Sequence, residues 1–182
     1  MAEVVDIYIA PEGGEPMKRT DAVTAIEGGL VGDRYCRGTG YYSPYDVCEV
    51  TLVASEALTE IREQYDIDLS DGRHRRNIVT RGVELHELLD TTVSIGDAEL
   101  RGTRPRPPCA HVERLAGEDG VASALGDGRG GICAAVTSPG EITVGDEIEI
   151  VEADPRSIGA DIAARLKADE ADDADGSQAP NG

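Results

Sequence analysis

Short runs of alternating apolar and polar residues, rich in Val, Ile and Thr, are separated by turn-forming glycines along most of the chain. Such runs predict β-strands. They cover residues 4–10, 22–29, 49–54, 76–82, 91–96, 98–102, 131–137 and 147–152. The segments VSIGDAELRG and ITVGDEIEIV each place Gly-Asp between apolar alternations, which is typical of a tight hairpin turn. The pattern predicts a mainly β domain, a barrel of mostly antiparallel strands with a few short inserted helices.

The helical pattern is confined to short segments. In residues 55–67 apolar side chains recur at helical spacing behind Ser55, which we expect to be the N-cap. Shorter helices are predicted over residues 84–89, 109–117 and 121–125. After residue 154 the composition shifts to Asp, Ala, Gly and Ser, which bury little. We therefore predict a barrel domain over residues 1–154 and an acidic tail over residues 155–182, with one helix (157–168) followed by disorder.

The composition is strongly acidic. Its 36 acidic residues outnumber 17 basic ones, only two of which are lysines, and the net charge is -19. High ionic strength would screen this self-repulsion, so we expect a salt-adapted cytoplasmic protein; an acidic protein with a basic partner is the alternative. The charge opposes nucleic-acid binding, and no apolar run approaches the roughly 20 residues of a membrane span. The four cysteines lack CxxC or zinc-like spacing and are predicted to be free thiols.

Positive charge is concentrated in residues 73–114, which hold eight arginines against six acidic residues. Arg binds oxyanions with two parallel hydrogen bonds, so this excess predicts an anionic ligand; pairing with surface acids is the alternative. Our candidate residues at the entry of the strand over residues 76–82 are Arg75, Arg76 and Asn77. A glycine-rich turn adds Arg129, Gly130 and Gly131, whose backbone N–H groups could approach a ligand. The loop EGGLVGDRY, residues 27–35, is expected near the site.

Cys109 is the strongest single candidate for chemistry. Pro107 and Pro108 restrict the backbone before it, and Arg104 and Arg106 favour its thiolate. A position in the first turn of the predicted helix adds a favourable dipole. The alternative is that Cys109 is a buried small hydrophobic residue, as many cysteines are.

Six segments in order resemble the MOSC domain, named after the C-terminal domain of molybdenum-cofactor sulfurases. They are GGLVGDRY, EVTLVASEAL, RRNIVTRGVEL, IGDAELRGTRPRPPC..VE, GRGGICAAV and GEITVGDEI, within residues 4–152. The resemblance implies a β-rich barrel and a cysteine that carries sulfur or ligates molybdenum. Carried over by motif, that cysteine is Cys109. The resemblance also implies that Arg75, Arg76, Asn77 and the turn Gly128–Gly131 lie near the pterin phosphate or the metal.

Two departures from the family pattern bear on the chemistry. The GDR loop commonly continues with His in the family, but here it continues with Tyr35. The pyridoxal-phosphate domain of the sulfurases has no counterpart, since neither Lys18 nor Lys167 lies in a setting suited to that cofactor. Any sulfur must then come from a partner.

Three functions remain open at this stage. In the first, a Cys109 thiolate ligates molybdenum, the arginines and Asn77 bind the pterin phosphate, and an N-hydroxylated small molecule is reduced with electrons from a donor protein. In the second, Cys109 carries a persulfide received from a cysteine desulfurase. In the third, the chain is a non-catalytic anion-binding module with a structural Cys109.

Overall fold

Two β-sheets that share one apolar core make up most of the domain. The structure is a computed structural model that describes residues 1–36 and 48–151, all within the unit Met1–Val151. Its strands are β1 (Glu3–Ile9), β2 (Lys18–Thr20), β3 (Ala22–Ile26), β4 (Gly29–Leu30), β5 (Val50–Ala54), β6 (Ile78–Arg81), β7 (Thr92–Ile95), β8 (Ala98–Pro105), β9 (Ile132–Ser138), β10 (Gly140–Thr143) and β11 (Ile148–Ile150).

The larger sheet has the strand order β11-β7-β8-β9-β5-β6-β1-β2, and the smaller sheet has the order β10-β3-β4. Every pairing is antiparallel except that of β5 with β6, which a helix connects. A parallel pair requires such a crossover, since a tight turn can join only antiparallel strands. The predicted mainly β, mostly antiparallel fold is confirmed. A closed barrel is not confirmed. Among the described residues, an isolated antiparallel bridge between Glu3 and Glu147, and a hydrogen bond from the Ile148 amide to the Ala2 carbonyl over 2.9 Å, join the start of β1 to the start of β11.

One of the two predicted hairpins is confirmed. In VSIGDAELRG, β7 pairs with β8 around Gly96 and Asp97, with Ile95 opposite Ala98. In ITVGDEIEIV the chain does turn, since the Asp146 amide donates to the Thr143 carbonyl over 3.0 Å. The strands on either side then join different sheets, because β10 pairs with β3 and β11 pairs with β7. This connection links the two sheets and is not a hairpin.

The helices are short and lie close to their predicted positions. They are α1 (Ser55–Tyr65), α2 (Ala110–Ala116), α3 (Val121–Ala124) and a 3-10 helix (Leu85–Leu88). The predicted N-cap was wrong by one residue: Ala54 is the N-cap of α1, and the Ser55 hydroxyl contacts Glu56 instead of capping. None of the helices in residues 1–36 and 48–151 is long and apolar enough to cross a bilayer. The predicted tail, including the helix over 157–168, lies outside the described residues.

The core consists of aliphatic side chains from both sheets. Its members with under 2% exposure include Ile7, Leu30, Leu52, Ile78, Leu100, Ile132 and Ile142. A second cluster packs Ile61 of α1 against Val112 of α2 and Val121 of α3. Burying such side chains stabilises each by about 1.5–3 kcal/mol. The second cluster thereby fixes the start of α2, directly after Cys109.

The prediction of four free thiols was wrong for two of them. Cys48 and Cys133 form a disulfide, with their Cα atoms 5.1 Å apart and a separation of 85 positions in sequence. The pairing of β5 with β9 brings them together, because Cys48 lies just before β5 and Cys133 lies in β9. Local spacing carries no signal for a contact over such a separation. Cys36 and Cys109 are free thiols.

Candidate functional site

A cleft beside Cys109 gathers four arginines. It encloses about 380 Å³, including the part open to solvent. The side chains that carry its chemistry are Arg34, Tyr35, Arg75, Arg76, Arg106, Cys109 and His111. Among the described residues no carboxylate lines it. In a chain of net charge -19, this local excess of guanidinium groups favours an anionic ligand.

The end of β8 and the start of α2 place Arg106 and Cys109 in the cleft. The Arg106 amide donates to the Gly131 carbonyl over 2.8 Å. Gly130 must be glycine, because an added Cβ would collide with the Arg106 carbonyl. Cys109 is the N-cap residue of α2, one position before the first turn that the sequence predicted, and its side chain makes no capping hydrogen bond. The thiol is partly exposed, so it is available for chemistry and is not a buried core residue.

A tight turn before β6 presents Arg75 and Arg76. Arg75 adopts a left-handed backbone conformation, with φ at 61°, which is costly for a residue with a side chain. Its amide donates to the Gly72 carbonyl over 2.9 Å, and its Nη1 donates to the Glu15 carbonyl over 2.7 Å. The turn directs two consecutive arginines into the cleft, and the strained backbone conformation is that of a residue in the cleft wall.

Arg76 is the most deeply buried charged residue of the cleft, with 1% exposure. Its Nε donates to the Gly130 carbonyl and its Nη1 to the His74 carbonyl, each over 2.8 Å. The Nη2 atoms of both Arg76 and Arg75 have no hydrogen-bond partner among the described residues. Buried donors are nearly always paired, because an unpaired one costs about 1–3 kcal/mol and more when charged. Two such donors in one cleft indicate a missing acceptor.

The electrostatics of the cleft agree with this. Burial first, and then repulsion from Arg106, lower the pKa of Arg76 from 12.5 to about 9. Burial and the neighbouring Arg34 lower the pKa of Arg75 to about 10. Both values exceed 7, so both side chains are charged at neutral pH. A bound anion would relieve the repulsion and restore part of the lost solvation.

The two histidines near the cleft are neutral at pH 7. Burial, followed by repulsion from Arg76 and Arg34, lowers the pKa of His74 to about 3. Its Nδ1 accepts a hydrogen bond from the Arg76 amide over 2.8 Å. Burial and then the nearby Arg114 also lower the pKa of His111. The positive charge of the cleft therefore comes from arginine alone.

Asn77 and Arg104 do not line the cleft. Asn77 Oδ1 accepts hydrogen bonds from the Thr51 amide and hydroxyl, and its Nδ2 donates to the Tyr8 carbonyl. The buried Asn77 thereby ties β5 and β1 to the start of β6. Arg104 lies on β8 opposite Cys133, and its Nη1 donates to the Pro105 carbonyl over 3.3 Å.

Two residues of the glycine-rich turn also face away from the cleft. Arg129 donates to the Ala124 carbonyl over 2.6 Å and to the Tyr65 hydroxyl over 2.8 Å. Arg129 and Gly131 line a separate cavity beside α1. The turn reaches the Cys109 cleft through the Gly130 carbonyl, which holds Arg76, and through the Gly131 carbonyl, which holds Arg106.

Arg34 and Tyr35 were not among the predicted binding residues, although the loop that carries them was expected near the site. Arg34 Nη2 donates to the Arg75 carbonyl over 3.0 Å, and its guanidinium lies 4.7 Å from the centre of the Tyr35 ring. The Tyr35 hydroxyl accepts from Arg106 Nη2 over 2.7 Å. The GDRY motif was the available signal, but a short loop motif does not show where its side chains point.

A sequence model of the MOSC domain matches residues 45–149, more than half of the chain. The chain belongs to the MOSC domain family. This family is associated with molybdenum cofactor binding. The match contains Arg75, Arg76 and Cys109, whereas Arg34 and Tyr35 precede it. No match was found among proteins of curated function.

Solved structures share this MOSC fold at low sequence identity. YuaD from Bacillus subtilis superposes with a TM-score of 0.68 at 22% identity, over 82% of this chain and 96% of that one. YiiM from Geobacillus stearothermophilus gives 0.66 at 18% identity, over 84% and 76%. YiiM from Escherichia coli gives 0.63 at 19% identity, over 85% and 71%. At these identities the likeness concerns the fold.

Proposed function

We propose that this MOSC domain holds a molybdenum cofactor in the Cys109 cleft and reduces N-hydroxylated small molecules. The observation that carries the proposal is the pair of buried guanidinium atoms, Arg75 Nη2 and Arg76 Nη2, that have no partner in the described residues beside a free thiol. The family's association with the cofactor supplies the ligand's identity. Electrons would come from a separate donor protein.

The residues present fit such a group. The phosphate of a pterin cofactor is an anion with several acceptor oxygens, which suits two arginine donors in a cleft that no carboxylate of the described residues lines. The described residues contain no group of three or more His, Cys, Asp or Glu arranged to hold a metal. Cys109 would therefore be a single protein ligand to a metal that arrives with its own organic ligands. When bound, the cofactor would supply the two-electron reduction that removes oxygen from the substrate.

The side chains of this domain would bind the cofactor and orient it. Arg75 and Arg76 would hold the phosphate through Nη2, with Arg76 fixed by the Gly130 carbonyl. Cys109 would bind the metal as a thiolate, which is the form of cysteine that ligates metals. The partial exposure of Cys109 leaves room for a small substrate at the open side of the cleft.

Metal analysis tests the proposal in protein produced by a host that makes the cofactor. Wild type should contain molybdenum and pterin, and Cys109→Ser should lose most of the molybdenum. Cys36→Ser is the matched control, because Cys36 is also a partly exposed free thiol but does not line the cleft. Equal molybdenum in wild type and Cys109→Ser would remove Cys109 as the ligand. Wild type without molybdenum would remove the cofactor.

A sulfur carrier is the second candidate function, and the free, partly exposed Cys109 at an N-cap favours it. The Cys109 thiolate would take the terminal sulfur of a cysteine desulfurase persulfide, and the desulfurase thiol would be regenerated. Intact mass spectrometry after incubation with such a donor should show one added sulfur in wild type and none in Cys109→Ser. An unmodified Cys109 with several donors would argue against this function.

A further inference from the structure

A tyrosine and a disulfide form the wall behind the cleft. Tyr35 is 5% exposed and packs with Cys48 and Cys133 in one small buried cluster. Its hydroxyl accepts from Arg106 Nη2 over 2.7 Å, and the Arg106 guanidinium lies 5.9 Å from the centre of its ring. The disulfide touches the ring, and the hydroxyl touches a cation of the cleft.

We propose that Tyr35 is a positioning residue that transmits the redox state of the Cys48–Cys133 disulfide to Arg106, and so sets the anion affinity of the cleft. The proposal rests on the anion-binding part of the proposed function and not on molybdenum. The intact disulfide holds the ring of Tyr35, and its hydroxyl holds Arg106 turned into the cleft. Opening the disulfide moves the ring and releases that orientation.

The packing explains why opening the disulfide must move Tyr35. Bonded sulfur atoms lie about 2.05 Å apart, whereas two thiols in contact need roughly 3.5–4 Å. Cys133 is 0% exposed and Cys48 is 4% exposed, so the sulfur atoms would separate among buried side chains and not into solvent. Tyr35 is their partner in this cluster. Its backbone is held by Asp33, which accepts from the Tyr35 amide over 3.2 Å, so the ring is the part that yields.

The Arg106 main chain is held independently of Tyr35. Its amide donates to Gly131, two residues before Cys133, over 2.8 Å. A change in Tyr35 therefore alters where the guanidinium points and leaves the backbone of the cleft in place. The expected effect is on anion affinity more than on the fold around Cys109.

The reductant in this proposal is a dithiol. One thiolate of the dithiol attacks a disulfide sulfur, most readily that of the more exposed Cys48, and the Cys48–Cys133 bond breaks. The second thiol of the dithiol then displaces Cys48, which leaves a cyclic disulfide. Two electrons pass from the dithiol to the protein, and the two protons end on the Cys48 and Cys133 thiols.

Calorimetric titration of cofactor-free protein with inorganic phosphate tests this relay, in which the disulfide acts on Arg106 through Tyr35. Four samples are compared: wild type and Tyr35→Phe, each with the Cys48–Cys133 disulfide intact and each after its reduction by dithiothreitol. Reduction and Tyr35→Phe should each weaken phosphate binding about five- to tenfold, since each removes one restraint on a charged donor. Together they should weaken it no further than either alone, because both act through the same hydroxyl.

The chain offers a matched control in Tyr65. Its hydroxyl also accepts from an arginine, Arg129 Nη2, over 2.8 Å, and the guanidinium lies 5.1 Å from its ring centre. Arg129 does not line the Cys109 cleft. Tyr65→Phe should therefore leave phosphate affinity unchanged in both redox states. Thiol labelling after denaturation should find two reactive cysteines before reduction, Cys36 and Cys109, and four after it.

The outcomes separate the relay from the anion site. Equal phosphate affinity in oxidised and fully reduced wild type would overturn the relay and leave the anion site standing, as would additive effects of reduction and Tyr35→Phe. Four reactive thiols in the untreated protein would also overturn it. Wild type that does not bind phosphate at all would refute the anion site and the relay together. Cys48→Ala/Cys133→Ala is a supporting variant; if it does not fold, the chemical reduction of wild type decides.

Discussion

Replacing Arg76 by Met tests whether its guanidinium is built to receive an anion. Arg76 is fully buried, and one of its nitrogens has no partner among the described residues. Burial and repulsion lower its pKa from 12.5 to about 9. The charged side chain is thus less favourable in the folded, anion-free protein than in water by roughly 5 kcal/mol. A binding residue held in this way reduces stability until its ligand is present.

The substitution has two opposing effects on the free energy of unfolding. Met relieves the burial of the charge and packs an unbranched apolar side chain in its place. It also leaves the Gly130 and His74 carbonyls without their donor, at about 1–3 kcal/mol each. These effects nearly offset, so the free energy should change by less than about 2 kcal/mol without anions. Truncating an ordinary large core residue costs about 2–5 kcal/mol.

Urea unfolding with and without inorganic phosphate measures both consequences. Phosphate at about 100 times its Kd should stabilise wild type by about 2.7 kcal/mol and Arg76→Met far less. Arg81→Met is the control, because Arg81 lies on the adjoining strand β6 but is exposed and paired with Glu3. It should cost under about 1 kcal/mol and keep the full phosphate effect. A loss above about 4 kcal/mol in anion-free Arg76→Met, or an undiminished phosphate effect, would refute the reasoning.

Three further predictions concern the support of the cleft. The pKa of His74 is about 3 in the folded chain and 6.5 in a free side chain. Below pH 6.5 the unfolded state therefore binds more protons than the folded state, so the free energy of unfolding decreases as the pH is lowered. Wild type should lose about 2 kcal/mol more than His74→Asn between pH 6.5 and pH 5 in urea unfolding; parallel losses would contradict this. Asn77→Ala should cost roughly 2–4 kcal/mol, since it leaves buried Thr51 and Tyr8 groups unpaired, with phosphate affinity unchanged in whatever protein remains folded. Gly131→Ala should destabilise by more than about 2 kcal/mol, because its φ is 81° and an added Cβ would collide with the Leu52 carbonyl; near-normal thermal unfolding would count against this geometry.

The strands could be predicted because each carries its own signal. Alternation of apolar and polar residues marks one buried face, and it located β7 and β8 to within a few residues. The shared position of Arg75 and Arg76 in one cleft could be predicted for a similar reason, since they are neighbours in sequence and project from one turn. Cys109 could be identified from the prolines and arginines beside it. A feature could be predicted from the sequence where the residues that determine it are close to one another in the chain.

Other features depended on contacts that the sequence does not display. Asn77 looked like a ligand-binding residue because it is polar and adjoins Arg76, but its amide is satisfied by Thr51 and Tyr8, which lie far away in the chain. Arg129 looked like part of the site because of its glycine neighbours, but the turn directs it towards α1. The sequence could not establish closure of a barrel, because closure is set by pairing between strands that are far apart in the chain, and not by the pattern within each strand.

Two parts of the chain contribute residues to the cleft. The groups that would meet the anion, Arg75 and Arg76, and the thiol of Cys109 lie within the region that matches the MOSC domain. The group that orients Arg106 is Tyr35, which precedes that region. A change at Tyr35 could therefore alter anion affinity without altering Cys109. Tyr35 also contacts a disulfide between Cys48, which lies just before β5, and Cys133, which lies in β9. The same position can therefore make that affinity depend on redox state.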